Sequence, residues 1–292
     1  MKKTYTLLLS LTFGFLGSAQ NSTTTDLVQR NDNSIHKIKP SNTTNNSKGV
    51  VLWSNDFSTA GDWTLDNTGT VAVDPNTSAP AHWVFTTDPN VIPVSALAPF
   101  NAATASNGFI FINSDACGGG DNDGTPIFVT ATTNTAIDLT GEPNVVLSFS
   151  HNYRWWQDTR GVRVSGDNGN TWTEYMITDL NGYPNDQNSG NPEITSYDIS
   201  VEAGGQSQVL VQFYYEDNDY WAWYWAVDDV EITRKDQNNI ETVSAWIYGE
   251  NDFGGEYGRT PINHMDANWY VGASVKNDGV NDQTNVNLVA GQ

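Results

Sequence analysis

The sequence is short of cysteine, of basic residues and of helical periodicity. Its single cysteine, Cys117, cannot close an internal disulfide, and no Cys-x-x-Cys pair is present to hold zinc or to carry out thiol exchange. Only 13 Lys and Arg stand against 34 Asp and Glu, so the 292 residues carry a formal net charge of −21. Because nucleic-acid phosphates and anionic lipid headgroups are bound through Lys and Arg, this charge argues against both as partners.

The residues that are abundant favour β-structure. Asn, Thr, Gly and Trp are frequent, and 11 prolines are present, as is typical of strands joined by turn-rich loops. The run Val145–His151 places Val145, Leu147, Phe149 and His151 on one face of a half-buried strand. Because such runs recur between turn signals, the sequence predicts an all-β protein built as an antiparallel sandwich.

The order of segments predicts an exported protein. Residues 1–20 have two lysines, an apolar run and small residues, which is the pattern of a secretory signal peptide, and its removal leaves a charge of −23. Residues 21–48 have too few apolar side chains to fold and are interpreted as a flexible leader. The main domain is predicted to span 49–234. Residues 235–292, with strands predicted at 243–247, 270–275 and 286–289, are interpreted as part of a second β-domain that continues beyond the chain.

The segment Ser165–Trp172 matches the pattern Ser-x-Asp-x-Gly-x-Thr-Trp, known as the Asp-box. We expect a hairpin in which Asp167 binds turn amides, Gly169 takes a positive φ and Trp172 packs beside the turn. The alternative is one blade of a sialidase-type propeller. Since only one copy occurs, the structural hairpin is favoured.

Two acidic segments are candidate calcium sites. In Trp225–Ile232, alternation places Asp228 on the same inward face as Ala226, Val230 and Ile232, where a bare carboxylate is costly. Calcium takes carboxylate oxygens readily, but an equal alternative is that Asp228 caps turn amides where the strand begins, or that the alternation slips and water reaches the side chain. In the second segment, Asp115, Asp121 and Asp123 flank a glycine loop that either wraps a cation or is a solvated acidic loop.

An aromatic segment, Tyr214–Trp225, is the candidate ligand surface. Exposed Trp and Tyr beside carboxylates can stack on sugar rings, whereas buried ones fill a core. The residues taken as ligand-binding are Trp155, Trp156, Tyr220, Trp221 and Trp223.

The sequence has no recognisable catalytic set. A His-Glu-x-x-His helix, a Gly-x-Ser-x-Gly elbow and a phosphate loop are all missing. No catalytic residue is therefore assigned. The competing hypothesis is a glycoside hydrolase that uses acids near the aromatic segment, such as Glu216 and Asp219.

Taken in order, several segments resemble the MAM-like jelly-roll modules, which include cleaved-adhesin and choice-of-anchor domains of secreted bacterial proteins. The segments that carry the resemblance are Leu52–Ser58 with Trp63, Val145–His151, Ser165–Trp172, Val209–Tyr215 and Trp225–Val230. The resemblance implies an antiparallel jelly-roll sandwich, an adhesive or ligand-binding role and a structural calcium ion. The family's acidic ligands match Asp56 and Asp228/Asp229, although Ser58 stands where the family usually has Glu. Residues 272–279 and 284–286 are similar to immunoglobulin-like adhesion repeats.

Together these observations predict a secreted or cell-surface, non-catalytic module. We expect it to bind a glycan or an extracellular protein surface, to hold Ca²⁺ as a structural ion and to be the accessory part of a larger exported protein. Insertion into a membrane is not expected once the signal peptide is removed.

Overall fold

The computed structural model describes residues 4–9, 49–92, 99–117, 121–177, 187–220, 222–249 and 268–287. The chain divides into two compact units. One comprises Met1–Ser47 together with Asp236–Gln292, and the larger one is Lys48–Lys235. The larger unit extends one residue beyond each end of the predicted main domain, 49–234.

Strands dominate the described residues. In chain order they are β1 (Thr4–Leu9), β2 (Val51–Asn55), β3 (Trp63–Asp66), β4 (Val84–Thr86), β5 (Phe109–Asn113), β6 (Phe128–Thr133), β7 (Val145–Arg154), β8 (Thr159–Ser165), β9 (Thr173–Met176), β10 (Glu193–Asp198), β11 (Leu210–Glu216), β12 (Tyr224–Arg234), β13 (Ile240–Gly249) and β14 (Trp269–Asn277). Among the same described residues, helical structure is confined to single turns, at α1 (Ser114–Cys117), α2 (Ser200–Ala203), Ala60–Asp62 and Pro89–Val91. The predicted all-β class is confirmed. Within the described part of the chain, no helix has the length and apolar character needed to span a membrane.

The larger unit is an antiparallel sandwich of two sheets. One sheet has the order β10-β7-β12-β5-β4, with β2 also paired to β12, and the other has the order β3-β6-β11-β8-β9. All strand pairings in both sheets are antiparallel. Their facing sides enclose the main hydrophobic core. The predicted antiparallel jelly-roll sandwich is therefore the fold of this unit.

Residue alternation in β7, which lies between β10 and β12, determines which side of the strand faces the core. Val145, Leu147 and Phe149 point into the main core, as predicted, while Ser148 belongs to the opposite side. The period of two residues in a strand requires this arrangement. The hydrophobic pattern therefore specifies the register of β7 against its neighbours.

A second, smaller core lies on the other side of the six-stranded sheet. It contains Phe109 and Phe111 of β5 and Tyr224 and Ala226 of β12, packed against residues of the segment that precedes β5. Because Ile110 and Ile112 face the main core, β5 is apolar on both sides. A strand that is covered on both faces reads as a continuous apolar run rather than an alternating one.

The smaller unit has a three-stranded sheet of order β1-β14-β13. The strands predicted at 243–247 and 270–275 lie within β13 and β14. Val286 and Asn287 are not in a strand, and the rest of the strand predicted at 286–289 lies outside the described residues. β1 pairs with β14 and lies in the segment interpreted as a signal peptide. Removal of that segment stays a prediction, as does the interpretation of residues 235–292 as part of an immunoglobulin-like β-sandwich domain.

Candidate functional site

Three connections between the two sheets meet at one end of the larger unit. They are residues 114–127 between β5 and β6, residues 155–158 between β7 and β8, and residues 217–223 between β11 and β12; we call them the loop end. Asn218 Nδ2 donates to the carbonyl oxygen of Gln157 at 2.8 Å, and the amide of Asn122 donates to the carbonyl oxygen of Asp219 at 2.7 Å. These bonds tie the three connections together.

The buried carboxylate of Asp217 anchors the loop end. Its Oδ1 accepts from the amides of Ile127 at 2.9 Å and Asp219 at 3.1 Å, and its Oδ2 accepts from the Ser114 hydroxyl at 3.2 Å. The side chain is 1% exposed, and burial raises its pKa to about 6 despite these donors. The carboxylate is therefore held by hydrogen bonds in a site that disfavours its charge.

Asp219, which the competing hydrolase hypothesis uses, also binds backbone amides. Its carboxylate accepts from the amide of Gly124 at 3.1 Å and from that of Thr125 at 2.9 Å. Glu216 ends β11 and is half-buried. In this arrangement Asp219 fixes the shape of the 114–127 connection.

The structure divides the aromatic segment into core and surface residues. Tyr214, Tyr215, Tyr224 and Trp225 are buried, so most of the run fills the interior as the alternative interpretation expects. Tyr220 is half-buried at the loop end. Trp221 lies outside the described residues.

The other three candidate aromatics are half-buried at the same end but pack on different supports. Trp155 contacts the main core and donates its Nε1 to the carbonyl oxygen of Asp158 at 3.1 Å. Trp156 donates its backbone amide to Asp158 Oδ1 at 2.8 Å. Trp223 packs against the smaller core, and the Arg154 guanidinium lies 3.9 Å from the centre of its ring. The four described candidates therefore lie at one end but pack on different supports.

The predicted acidic loop adjoins these aromatic side chains. Asp115, Asp121 and Asp123 are exposed, and the amide of Asp115 donates to the carbonyl oxygen of Trp223 at 3.2 Å. Within the described ranges, no three or more His, Cys, Asp or Glu side chains are grouped so that they could hold a metal ion. A calcium ion at Asp115, Asp121 and Asp123 stays a prediction.

A buried ion pair lies where the 155–158 connection enters β8, and it was not predicted from the sequence. Asp158 and Arg160 are both fully buried and form an ion pair. The Arg160 guanidinium also lies 4.0 Å from the centre of the Tyr153 ring. Arg160 is two and four residues from Val162 and Val164, which face the main core from β8. This alternation in the sequence could have indicated that the arginine is buried.

A β-bulge in β12 corrects the predicted orientation of Asp228. The register of β12 against β7 shifts between Asp228 and Glu231, and Asp229 has a φ of 49°. Before the bulge, Ala226 faces the smaller core, whereas Val230 after it faces the main core. The prediction that Asp228 shares one face with Ala226, Val230 and Ile232 is therefore wrong, because the extra residue inverts the alternation.

Asp228 is nevertheless fully buried, as predicted, beside a second carboxylate. The Thr104 hydroxyl lies 2.6 Å from Asp229 Oδ1 and 3.1 Å from Asp228 Oδ2, and the amide of Ala103 donates to Asp229 Oδ2 at 2.9 Å. Burial and the adjacent charge of Asp229 raise the pKa of Asp228 to about 7, with a further contribution from Asp56. Among the described residues, neither Asp228 nor Asp229 has an ion-pair partner.

Asp56, the third predicted ligand of this cluster, follows β2. Its carboxylate accepts from Asn107 Nδ2 at 3.2 Å and from the Ser58 hydroxyl at 2.6 Å. These donors, led by Ser58, lower the pKa of Asp56. Ser58, which replaces the acid usual in the resembled family, therefore acts as a hydrogen-bond donor to a candidate ligand.

The Asp-box hairpin has the predicted structure. Asp167 accepts from the amide of Thr171 at 2.9 Å, from its hydroxyl at 2.7 Å and from the Ser165 hydroxyl at 2.7 Å. Gly169 has a φ of 84°, and a Cβ placed there would lie 3.4 Å from the Trp172 ring. The hairpin connects β8 to β9 at the end of the sandwich opposite the loop end, and its side chains are engaged in the turn.

His151 and Cys117 lack the properties of catalytic groups. Burial and the charge of Arg160 lower the pKa of His151 to about 3, and the Trp225 Nε1 donates to its Nδ1 at 3.2 Å. Burial, with the charge of Asp74, raises the pKa of the Cys117 thiol to about 11. A thiol with such a pKa is a weak nucleophile.

No protein-family model matches the chain, and no curated protein matches it. Solved structures similar to it include cleaved adhesin domains, carbohydrate-binding modules and an enzymatically active domain of a bacteriophage tailspike protein. A cleaved adhesin domain of Lys-gingipain from Porphyromonas gingivalis is 18% identical, with a TM-score of 0.38, covering 63% of this chain and 98% of that one. A carbohydrate-binding module of Caldicellulosiruptor saccharolyticus, solved with mannohexaose, is 14% identical, with a TM-score of 0.38 and coverages of 64% and 97%. A xylan-binding domain of Paenibacillus barcinonensis is 12% identical, with a TM-score of 0.32 and coverages of 63% and 94%.

Proposed function

We propose that the unit Lys48–Lys235 is a non-catalytic module that binds a glycan at the loop end. The observation that carries the proposal is the presence of Trp156, Tyr220 and Trp223 at one end, each of them half-buried rather than part of the core. Aromatic side chains offer a large apolar face with a polar edge, which suits the mixed surface of a sugar ring. The connections that hold them are fixed by hydrogen bonds to Asp217 and Asp219, so little ordering is needed on binding.

The setting of this module is also part of the proposal. The signal-like residues 1–20 and the acidic composition support a secreted or cell-surface protein in which this unit is the accessory part of a larger exported chain. An extracellular protein surface is the alternative partner.

Single alanine variants test the glycan site. We expect Trp223→Ala, Trp156→Ala and Tyr220→Ala to lose binding on a glycan array by tenfold or more, with Tm unchanged to within a few degrees. Trp172→Ala is the matched control, because it removes a half-buried ring at the opposite end. Equal binding by all four variants and the parent protein would refute the site, and unfolding of the loop-end variants would assign those rings to the core.

We further propose that Asp228 and Asp229 hold a structural calcium ion together with the Thr104 hydroxyl, with the charge of Asp56 nearby. The donors that support it are oxygens only, from two carboxylates and a hydroxyl, as a hard cation requires. A bound ion would neutralise a buried carboxylate whose pKa is raised to about 7.

Chelation tests the ion and its location. Calcium that binds only the folded protein raises Tm, so we expect EDTA to lower Tm and added Ca²⁺ to restore it. Asp228→Asn should abolish this response, whereas Asp121→Asn should retain it. The reverse pattern would move the ion to the loop end, and no response in the parent protein would refute a structural ion.

A further inference from the structure

The loop end combines partly exposed aromatic rings with an excess of carboxylates. The sequence of residues 114–127, 155–158 and 217–223 contains no Lys or Arg, and the same is true of residues 178–192, which connect β9 to β10. Residues 187 and 188 of that connection also reach the loop end, because the Trp155 amide donates to the carbonyl oxygen of Gln187 at 3.1 Å and Asn188 bridges to Arg154. In the described parts of these connections, a ligand at this end therefore meets no Lys or Arg.

The carboxylates lie beside the rings that are proposed to bind sugar. Asp115 is joined to Trp223 through the backbone bond described above. The backbone bond from Asn122 to Asp219 places the exposed Asp121 and Asp123 next to the segment that contains Tyr220.

The basic groups nearest the loop end are already occupied. Arg160 is buried in its ion pair with Asp158. Arg154, at the end of β7, is half-buried and stacks on the Trp223 ring. A sugar carboxylate is usually bound by a bidentate contact from an arginine. Both of these guanidinium groups are already engaged with protein side chains.

From this arrangement we propose that the loop end selects glycans without negative charge, meaning neutral sugars and amino sugars, and rejects those bearing carboxylate or sulfate groups. The inference rests on the proposed glycan-binding function and adds the substrate class. Repulsion by the exposed carboxylates of these connections, acting over a Debye length of about 8 Å at physiological salt, should weaken binding by roughly tenfold for each negative charge added to the glycan. A protonated amino sugar gains where an acidic sugar loses.

A glycan array with charge-matched pairs tests the proposal. Each neutral glycan is paired with the same glycan carrying a sialic acid or a sulfate, and chito-oligosaccharides are paired with their deacetylated, amine-bearing forms. Binding of the full chain is measured at about 0.01 M and about 1 M salt, where the Debye length is ~30 Å and ~3 Å. We expect acidic members to bind at least tenfold more weakly than their neutral partners at low salt, and the gap to close at high salt.

A single-charge variant and its control locate the effect. Asp121→Asn should narrow the low-salt gap by about twofold, whereas Asp138→Asn, an equally exposed aspartate at the opposite end, should leave it unchanged. Acidic members that bind as tightly as neutral ones overturn the charge selectivity while leaving glycan binding in place. Silence of every member at both salt concentrations overturns the glycan-binding function itself, and with it this inference. If both variants narrow the difference in binding between acidic and neutral glycans by the same factor, the selectivity arises from the overall charge of the protein. That result would overturn its assignment to the loop end.

Discussion

Replacing Asp217 by asparagine should stabilise this protein at neutral pH. Both backbone amides that bind the side chain, from Ile127 and Asp219, donate to Oδ1. An asparagine keeps that oxygen, and its Nδ2 takes the place of Oδ2 opposite the Ser114 hydroxyl, whose oxygen can accept. The substitution therefore retains all three contacts and removes only the buried negative charge.

The sign and size of the effect follow from the pKa of Asp217. Burial raises it from 3.8 to about 6 in the folded protein, so between about pH 4 and pH 6 the folded state binds more protons than the unfolded state. Stability from this group is thus greatest below pH 4 and is lost as pH rises through about 6. One pKa unit corresponds to about 1.4 kcal/mol, and after an allowance for screening by solvent at the loop end the penalty is about 2 kcal/mol.

Urea unfolding of the full chain, followed by tryptophan fluorescence, measures this effect. Relative to the parent protein, Asp217→Asn should be about equal in stability at pH 4 and more stable by about 2 kcal/mol near pH 7.5. Asp217→Ala is the control: it also removes the charge but leaves the amides and the hydroxyl without an acceptor, so it should be less stable than Asp217→Asn by about 2–4 kcal/mol at both pH values. If the asparagine variant is less stable than the parent protein near pH 7.5, the charged carboxylate is a net stabilising group and the reasoning fails.

Three further substitutions or measurements test other parts of the structure. The hydroxyl and amide donors of the Asp-box lower the pKa of Asp167 to about 2. The ionised Asp167 therefore stabilises the parent protein above about pH 4, and this contribution is lost as the pH falls through about 2, whereas Asp167→Asn has no such contribution. Unfolding free energies of the two proteins with the same pH dependence would contradict this. Asp158→Ala leaves a buried guanidinium without its anion and should cost about 3–5 kcal/mol, whereas the apolar double variant Asp158→Leu/Arg160→Met should cost less than the sum of its single changes; strictly additive losses in urea unfolding would be the opposite result. The Cys117 thiol, with its pKa raised to about 11, should react with iodoacetamide near pH 8 much more slowly than free cysteine, whose pKa is about 8.5; equal rates would show that burial does not protect it.

Regular alternation and local turn chemistry were predictable from the sequence because each is set by neighbouring residues. The β7 face of Val145, Leu147 and Phe149 required only the period of a strand. The bonds of Asp167 in the Asp-box required only the turn itself. The placement of the aromatic and acidic residues at one end followed less directly, because it depends on which loops the strand order brings together.

The residues that sequence reasoning misplaced or missed are fixed by contacts between distant segments. The bulge at Asp228 and Asp229 lies where β12 exchanges one partner for another: its pairing with β5 ends at Val227, and its pairing with β2 begins at Val230. Thr104 reaches the carboxylates of that bulge from more than a hundred residues earlier in the chain. The burial of Arg160 was not predicted because an arginine is buried only where it has an ionic partner. That partner is Asp158, and the pair can be recognised only once both side chains are known to point inward.

Carboxylates that accept backbone amides give the loop end its rigidity. Asp158, Asp217 and Asp219 each accept a backbone amide of the connections at the loop end, from Trp156, Ile127 and Thr125 respectively. Side chains held in this way lose little freedom when a ligand arrives, which favours binding by shallow, partly exposed rings. The backbone is therefore fixed here by carboxylates, and that of Asp158 is paired with Arg160. The proposed selection against acidic sugars depends instead on the exposed Asp115, Asp121 and Asp123, so rigid support and charge selectivity come from different carboxylates of the same loop end.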